Sequence, residues 1–97
     1  MLKQQYYYVK VMRNTTKDLW DVLPERSKEL LVKTTLSKKA YLGYIGSKPY
    51  HENELVLVPF GQEQFIGIVE KPMDLEDVRE DVNYKEILAN IGGSISL

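Results

Sequence analysis

Glu54-Leu55-Val56-Leu57-Val58-Pro59-Phe60, then Gly61-Gln62-Glu63, then Gln64-Phe65-Ile66-Gly67-Ile68-Val69-Glu70 is the stretch that decides the fold class. Leu55 and Leu57 alternate with Val56 and Val58, so both sides of the first segment are apolar. Such a run reads as a strand buried on both faces. Gly61-Gln62-Glu63 turns the chain, and the second segment is a strand antiparallel to the first if that turn is short. Gly67 inside it marks a bulge or a close backbone approach.

Upstream, Gln4–Arg13 is rich in aromatic and β-branched residues. Tyr7, Val9 and Val11 alternate there with Tyr6, Tyr8, Lys10 and Met12, which reads as another strand. Asn14-Thr15-Thr16 is a turn signal or a helix cap. Lys17–Pro24 fits one short helical turn, with Leu19, Trp20, Val22 and Leu23 at i, i+1, i+3 and i+4. It fits a short strand equally, because eight residues do not settle the period. Glu29–Leu36, with Val32, Thr34 and Thr35, reads as a strand. Lys39–Ile45 is its partner across Ser37-Lys38, giving a hairpin with a basic tip at Lys38 and Lys39. Gly46-Ser47-Lys48-Pro49 ends it.

Downstream, Pro72–Asp81 is acidic and reads as a loop or short helix. Tyr84–Ile91 is open between strand and helix, and residues 92–97 read as a loose tail. The expected architecture is mostly β. It is a small single-domain β barrel or open sheet of OB or SH3 size, with at most one or two short helices. The domain covers residues 1–91, and residues 27–49 form an inserted basic-aromatic hairpin.

The 97 residues suit one domain. No Cys is present, which excludes a disulfide scaffold, a thiolate metal site and a cysteine nucleophile; a single His excludes a His-based metal cluster. No apolar run approaches the roughly 20 residues that span a bilayer. The start, Met1-Leu2-Lys3-Gln4-Gln5-Tyr6, lacks the apolar core of a signal peptide, so a cytoplasmic location without membrane contact is expected. The formal net charge of −1 conceals a split. Residues 1–50 carry ten basic and four acidic side chains, and residues 51–97 carry three basic and ten acidic. That asymmetry fits a basic face for a polyanion beside an acidic segment, unless the two halves interleave in space.

No constellation for catalysis is recognisable. His51 lies in a polar loop segment without a Ser or Asp partner, and the chain reads as a non-enzyme. Asp74, Glu76, Asp77, Glu80 and Asp81 lack the calcium-loop spacing and read as a solvated face; no cofactor is implied. Gly43-Tyr44-Ile45-Gly46-Ser47-Lys48 has the wrong glycine spacing for a phosphate loop. It also lacks the flanking helices of a G-x-x-G nucleic-acid clamp, so it reads as a turn. The stretch that carries chemistry is basic and aromatic: Lys33, Lys38, Lys39 and Lys48 interleave with Tyr41, Tyr44 and Tyr50. Nucleic-acid grooves pair cations for phosphates with rings for bases. The bland alternative is a solvated hairpin whose Tyr rings pack on the sheet.

Two segments together resemble a known family. Val56-Leu57-Val58-Pro59-Phe60-Gly61 with Gln64-Phe65-Ile66-Gly67-Ile68-Val69 is similar to the "V-x-V-P-F-G … x-x-G-I-V" signature of the N-terminal 3′-end DNA-binding domain of the primosomal replication-restart helicase, primosomal protein N′ (PriA). Tyr8-Val9-Lys10-Val11 stands where that family has its first strand. Leu19-Trp20-Asp21-Val22-Leu23-Pro24-Glu25 resembles its "x-F-D-Y-x-x-P" strand, and Tyr84-Lys85-Glu86-Ile87-Leu88 its closing "L-K-x-I-x-x-V" strand.

The resemblance implies a small β barrel that captures the 3′ end of a DNA strand. By motif the pocket residues are Trp20, Asp21, Gly61 and Lys85. The ring would stack on a base, the carboxylate would accept from a base amino group or the terminal hydroxyl, the glycine would let backbone N–H groups approach, and the lysine would neutralise phosphate. Lys38, Lys39, Tyr41 and Tyr44 of the inserted segment are the further DNA-binding candidates. The chain departs from the family in having Val22 in place of the second aromatic, about 20 extra residues near 27–49, and no helicase motor. It is expected to be a free-standing DNA-binding module for single-stranded or branched ends, of the kind a phage or mobile element would carry in DNA replication. The alternative is a small adaptor that docks on a host replication protein. Near-neutral charge favours the adaptor. Oligomeric state is not legible in the residues.

Overall fold

The Glu54–Glu70 stretch forms the hairpin that its alternation requires. In the computed structural model, which describes residues 4–94, β3 (Glu54–Phe60) pairs antiparallel with β4 (Glu63–Pro72) from Leu55↔Ile68 to Phe60↔Glu63. Gly61 and Gln62 alone make the loop. Gly61 has φ 64°, the left-handed geometry that primed hairpin turns place on glycine. Both faces of β3 are covered. Val56 and Val58 are fully buried on the inner face, and Leu55 and Leu57 are half-buried on the outer one. Gly67 is a close approach: a Cβ there would sit 2.6 Å from Val9 Cγ1.

β1 (Gln5–Val11) lies beside β4 on one side and β2 (Leu42–Gly46) on the other, both antiparallel. Its register with β4 shifts between Tyr8 and Val9, so Glu70 has no residue opposite it and β4 bulges there. β5 (Lys85–Glu86) pairs parallel with β2, and β6 (Ala89–Ser94) pairs antiparallel with β3. The strand order is β5-β2-β1-β4-β3-β6. Consecutive residues tie its two ends together: Ile87 N donates to Ile45 O of β2 at 2.8 Å, and Leu88 N to Leu57 O of β3 at 2.9 Å. The sheet therefore curls into a half-barrel, with residues 85–94 lacing its margins. Tyr7, Val9, Tyr44, Val58, Val69 and Ile87 fill the interior. The mostly β, small-barrel expectation holds.

The segment before β2 differs from expectation. Residues 29–36 are not half of a hairpin; they belong to α2 (Glu25–Ser37). Lys28, Leu31, Val32, Thr35 and Leu36 stand at i, i+3, i+4, i+7 and i+8, which places them on one helical face. With Ser27 beside Lys28, those are the positions that α2 turns inward, Val32 and Thr35 being buried. Lys17–Val22 forms α1, so the strand that the resemblance implied over 19–25 is helical as far as Val22. Asn14 takes the turn (φ 65°), and Thr16 Oγ1 caps α1 by accepting from Leu19 N at 3.3 Å. Leu23 is extended at ψ 141°, as a residue before proline must be, and Pro24 opens α2. The two helices cover the outer face of the sheet. Met12, Trp20, Val32, Ile66 and Ile68 form that second core.

The ambiguous Tyr84–Ile91 segment resolves into β5 and the start of β6. Residues 92–94 continue β6 rather than beginning a loose tail. The rest of the expected tail, residues 95–97, lies outside the described residues. Among the described residues, no helix is long and apolar enough to cross a membrane.

Candidate nucleic-acid interface

Two depressions adjoin the β3–β4 turn. The larger, about 450 Å³, is lined by Arg13, Lys38, Lys39, Tyr41, Leu42 and Phe60, among others. The smaller, about 240 Å³, is lined by Leu42, Tyr44, Phe60, Gly61, Tyr84 and Lys85, among others. Leu42 and Phe60 line both, so the two depressions adjoin across these side chains and together make a divided groove. Its cations are Arg13, Lys38, Lys39 and Lys85. Among the described residues no Asp or Glu lines either depression.

Each cation is placed by a different device. Arg13 follows the end of β1, with its guanidinium 5.5 Å from the centroid of the Phe60 ring, in cation–π range. Lys38 ends α2, its N–H donating to Thr35 O at 3.2 Å. The helix end is pinned to the sheet by Lys10 of β1, whose Nζ donates to Leu36 O at 2.9 Å. A cation on the terminal carbonyls suits the negative end of the helix dipole. Lys10 thus anchors the point from which Lys38 and Lys39 enter the groove. Lys85 comes from the opposite margin, through the register Tyr44↔Lys85.

The rings divide into exposed and structural. Tyr41 is 42% exposed and packs edge-on against Tyr8 at 4.5 Å. Phe60 is half-buried, backed by Phe65 at 6.1 Å. Tyr44 is only 3% exposed, and its hydroxyl donates to Pro59 O at 2.8 Å. Burial pushes that hydroxyl above its ordinary pKa of 10.0, so it stays protonated. Tyr44 is therefore a wall of the smaller depression and not a free ring for stacking. Tyr8, beneath Tyr41, is raised likewise, by desolvation first and then by the charge of Asp77. It stands where the groove meets the acidic segment. Within that segment, Arg79 holds Asp81 through two hydrogen bonds of 3.1 and 2.9 Å.

Of the residues that sequence singled out, the structure brings Lys38, Lys39, Tyr41, Tyr44, Gly61 and Lys85 to this groove. Trp20 and Asp21 are not among them. Trp20 is 7% exposed and packed in the outer core, with Lys28 Nζ 5.4 Å from its ring centroid. Asp21 is exposed on α1 and pairs with Lys17 at 2.7 Å. The expected convergence of positions 20, 61 and 85 is thus met only by 61 and 85. The physical reason is local. As a helix, α1 packs Trp20 inward against β4, and no strand carries Asp21 to the turn.

Among the cations and partly exposed rings of the groove, three were missed: Arg13, read only as the end of a strand, Phe60, read only as part of the hairpin signature, and Tyr84, read only as part of the closing segment. An aromatic at a strand end, next to a turn glycine, is the sequence signal that marks Phe60. Nothing local marks Arg13. No protein-family model, curated protein or solved structure matches this chain.

Proposed function

We propose that this chain is a non-enzymatic DNA-binding module that takes up single-stranded or branched DNA ends, resembling the primosomal helicase end-binding domain. The observation that carries the reading is the groove itself. Four cations and three partly exposed rings, Tyr41, Phe60 and Tyr84, line it, without a carboxylate among the described lining residues. Phosphates supply most of the affinity for such a surface, and rings supply tolerance of any base. The Val-Pro-Phe-Gly turn and Lys85, two of the segments that carry the resemblance, lie side by side in it. Asp21 lies outside the groove, so end recognition through its carboxylate is not part of the proposal.

Titration of a fluorescently labelled oligonucleotide at low salt tests the reading. Saturable binding at micromolar protein is expected, and no binding at tens of micromolar contradicts it. That negative result favours a second reading, an adaptor for a basic partner protein. The exposed acidic run Asp74–Asp81, with Leu75 74% exposed in its midst, supports the adaptor.

A further inference from the structure

Phe60 holds a position that no other ring in the groove shares. It lines both depressions, Tyr41 only the larger, and Tyr44 and Tyr84 only the smaller. Its backbone is fixed by pairing with Glu63 across the two-residue turn. Its ring is backed by Phe65 and by the Arg13 guanidinium. A half-buried ring so held is a partition with cations on both sides, Arg13, Lys38 and Lys39 on one and Lys85 on the other.

We infer that Phe60 is a wedge between two nucleotide subsites, so that the groove takes two adjacent bases of a single strand, unstacked, one against the ring itself and the other on the guanidinium that Arg13 lays over it. This deepens the nucleic-acid reading and rests on it. A single strand parts two neighbouring bases cheaply. A duplex must lose both stacking and pairing to offer the same two faces. The arrangement therefore selects unpaired DNA by base faces, whereas the four cations alone would bind any polyanion.

The test compares three ligands by fluorescence anisotropy at one salt concentration. They are an oligothymidylate, an abasic phosphodiester of the same length and charge, and the corresponding duplex. The native protein is expected to prefer the oligothymidylate over the other two by roughly ten-fold or more, the scale of one ring–base stack. Phe60→Leu keeps an apolar side chain against Phe65 and removes the ring. It is expected to lose most of the preference for the oligothymidylate over the abasic strand, with the salt dependence unchanged, while Phe60→Tyr retains the preference. Equal affinity of the native protein for the oligothymidylate and the abasic strand, or a preference that Phe60→Leu leaves undiminished, overturns the wedge and leaves the DNA-binding reading standing. Failure of the native protein to bind any of the three overturns both.

Discussion

Trp20 and Asp21 are neighbours in sequence with unrelated environments, and the difference yields a prediction. Trp20 fills the space between α1, α2 and β4, while Asp21 is exposed and pairs with Lys17. Trp20→Ala is expected to destabilise the fold by about 3–5 kcal/mol, the usual cost of emptying a large aromatic site. Asp21→Ala is expected to leave stability within about 0.5 kcal/mol. Thermal and denaturant unfolding measure both. In the same pair, Asp21→Ala should bind oligonucleotides with free and blocked 3′ ends alike, because the carboxylate lines neither depression. A selective loss on the free end would return Asp21 to the site. At this scale the residue types were legible and their surroundings were not. An aromatic-Asp pair looks the same in sequence on a pocket wall as on a helix with one face in the core.

The elements were legible where the signal was local. The β3–β4 hairpin follows from alternation on both sides of a glycine turn, and β1 from its aromatic and β-branched run. α2 was misjudged because Val32, Thr34 and Thr35 have β propensity, and because three of the six inward positions are Ser27, Lys28 and Thr35. A search for purely apolar spacing passes over that face. Tertiary packing against Ile66 and Ile68 outweighs a propensity difference of a few tenths of a kcal/mol per residue. The helix end depends on Lys10, and Lys10→Met tests that dependence. Loss of the hydrogen bond to Leu36 O is expected to cost about 1 kcal/mol and to speed amide exchange in residues 35–39. β3 and β4 amides should be unaffected. Uniform acceleration across the sheet would show that Lys10 supports the barrel and not the helix end.

For the whole molecule, long-range pairing assembles the groove. Lys85 reaches it because β5 pairs with β2, and Lys38 and Lys39 reach it because α2 ends beside β1. None of this follows from spacing along the chain. The charge split was visible in the sequence, but which cations would share a surface was not. The tyrosines of the interior add a pH dependence of stability. Tyr44 and Tyr50 both have their hydroxyl pKa raised above 10.0, by burial foremost. The unfolded chain releases these protons near pH 10, before the folded one does. Their contribution is therefore intact below pH 10 and is lost as pH rises through the folded values. Unfolding free energy is expected to fall above pH 10, and Tyr44→Phe should reduce that fall. A decline unchanged by Tyr44→Phe would assign it to other groups.

The central claim is that Arg13, Lys38, Lys39 and Lys85 act together on DNA phosphates, and the salt dependence of oligonucleotide affinity measures this directly. Four phosphate contacts on a single strand give a slope of log affinity against log salt of about −2.8. Replacing Lys38 and Lys39 together by Gln should reduce its magnitude by about 1.4. A slope near zero, or one that the double substitution leaves in place, would contradict the claim.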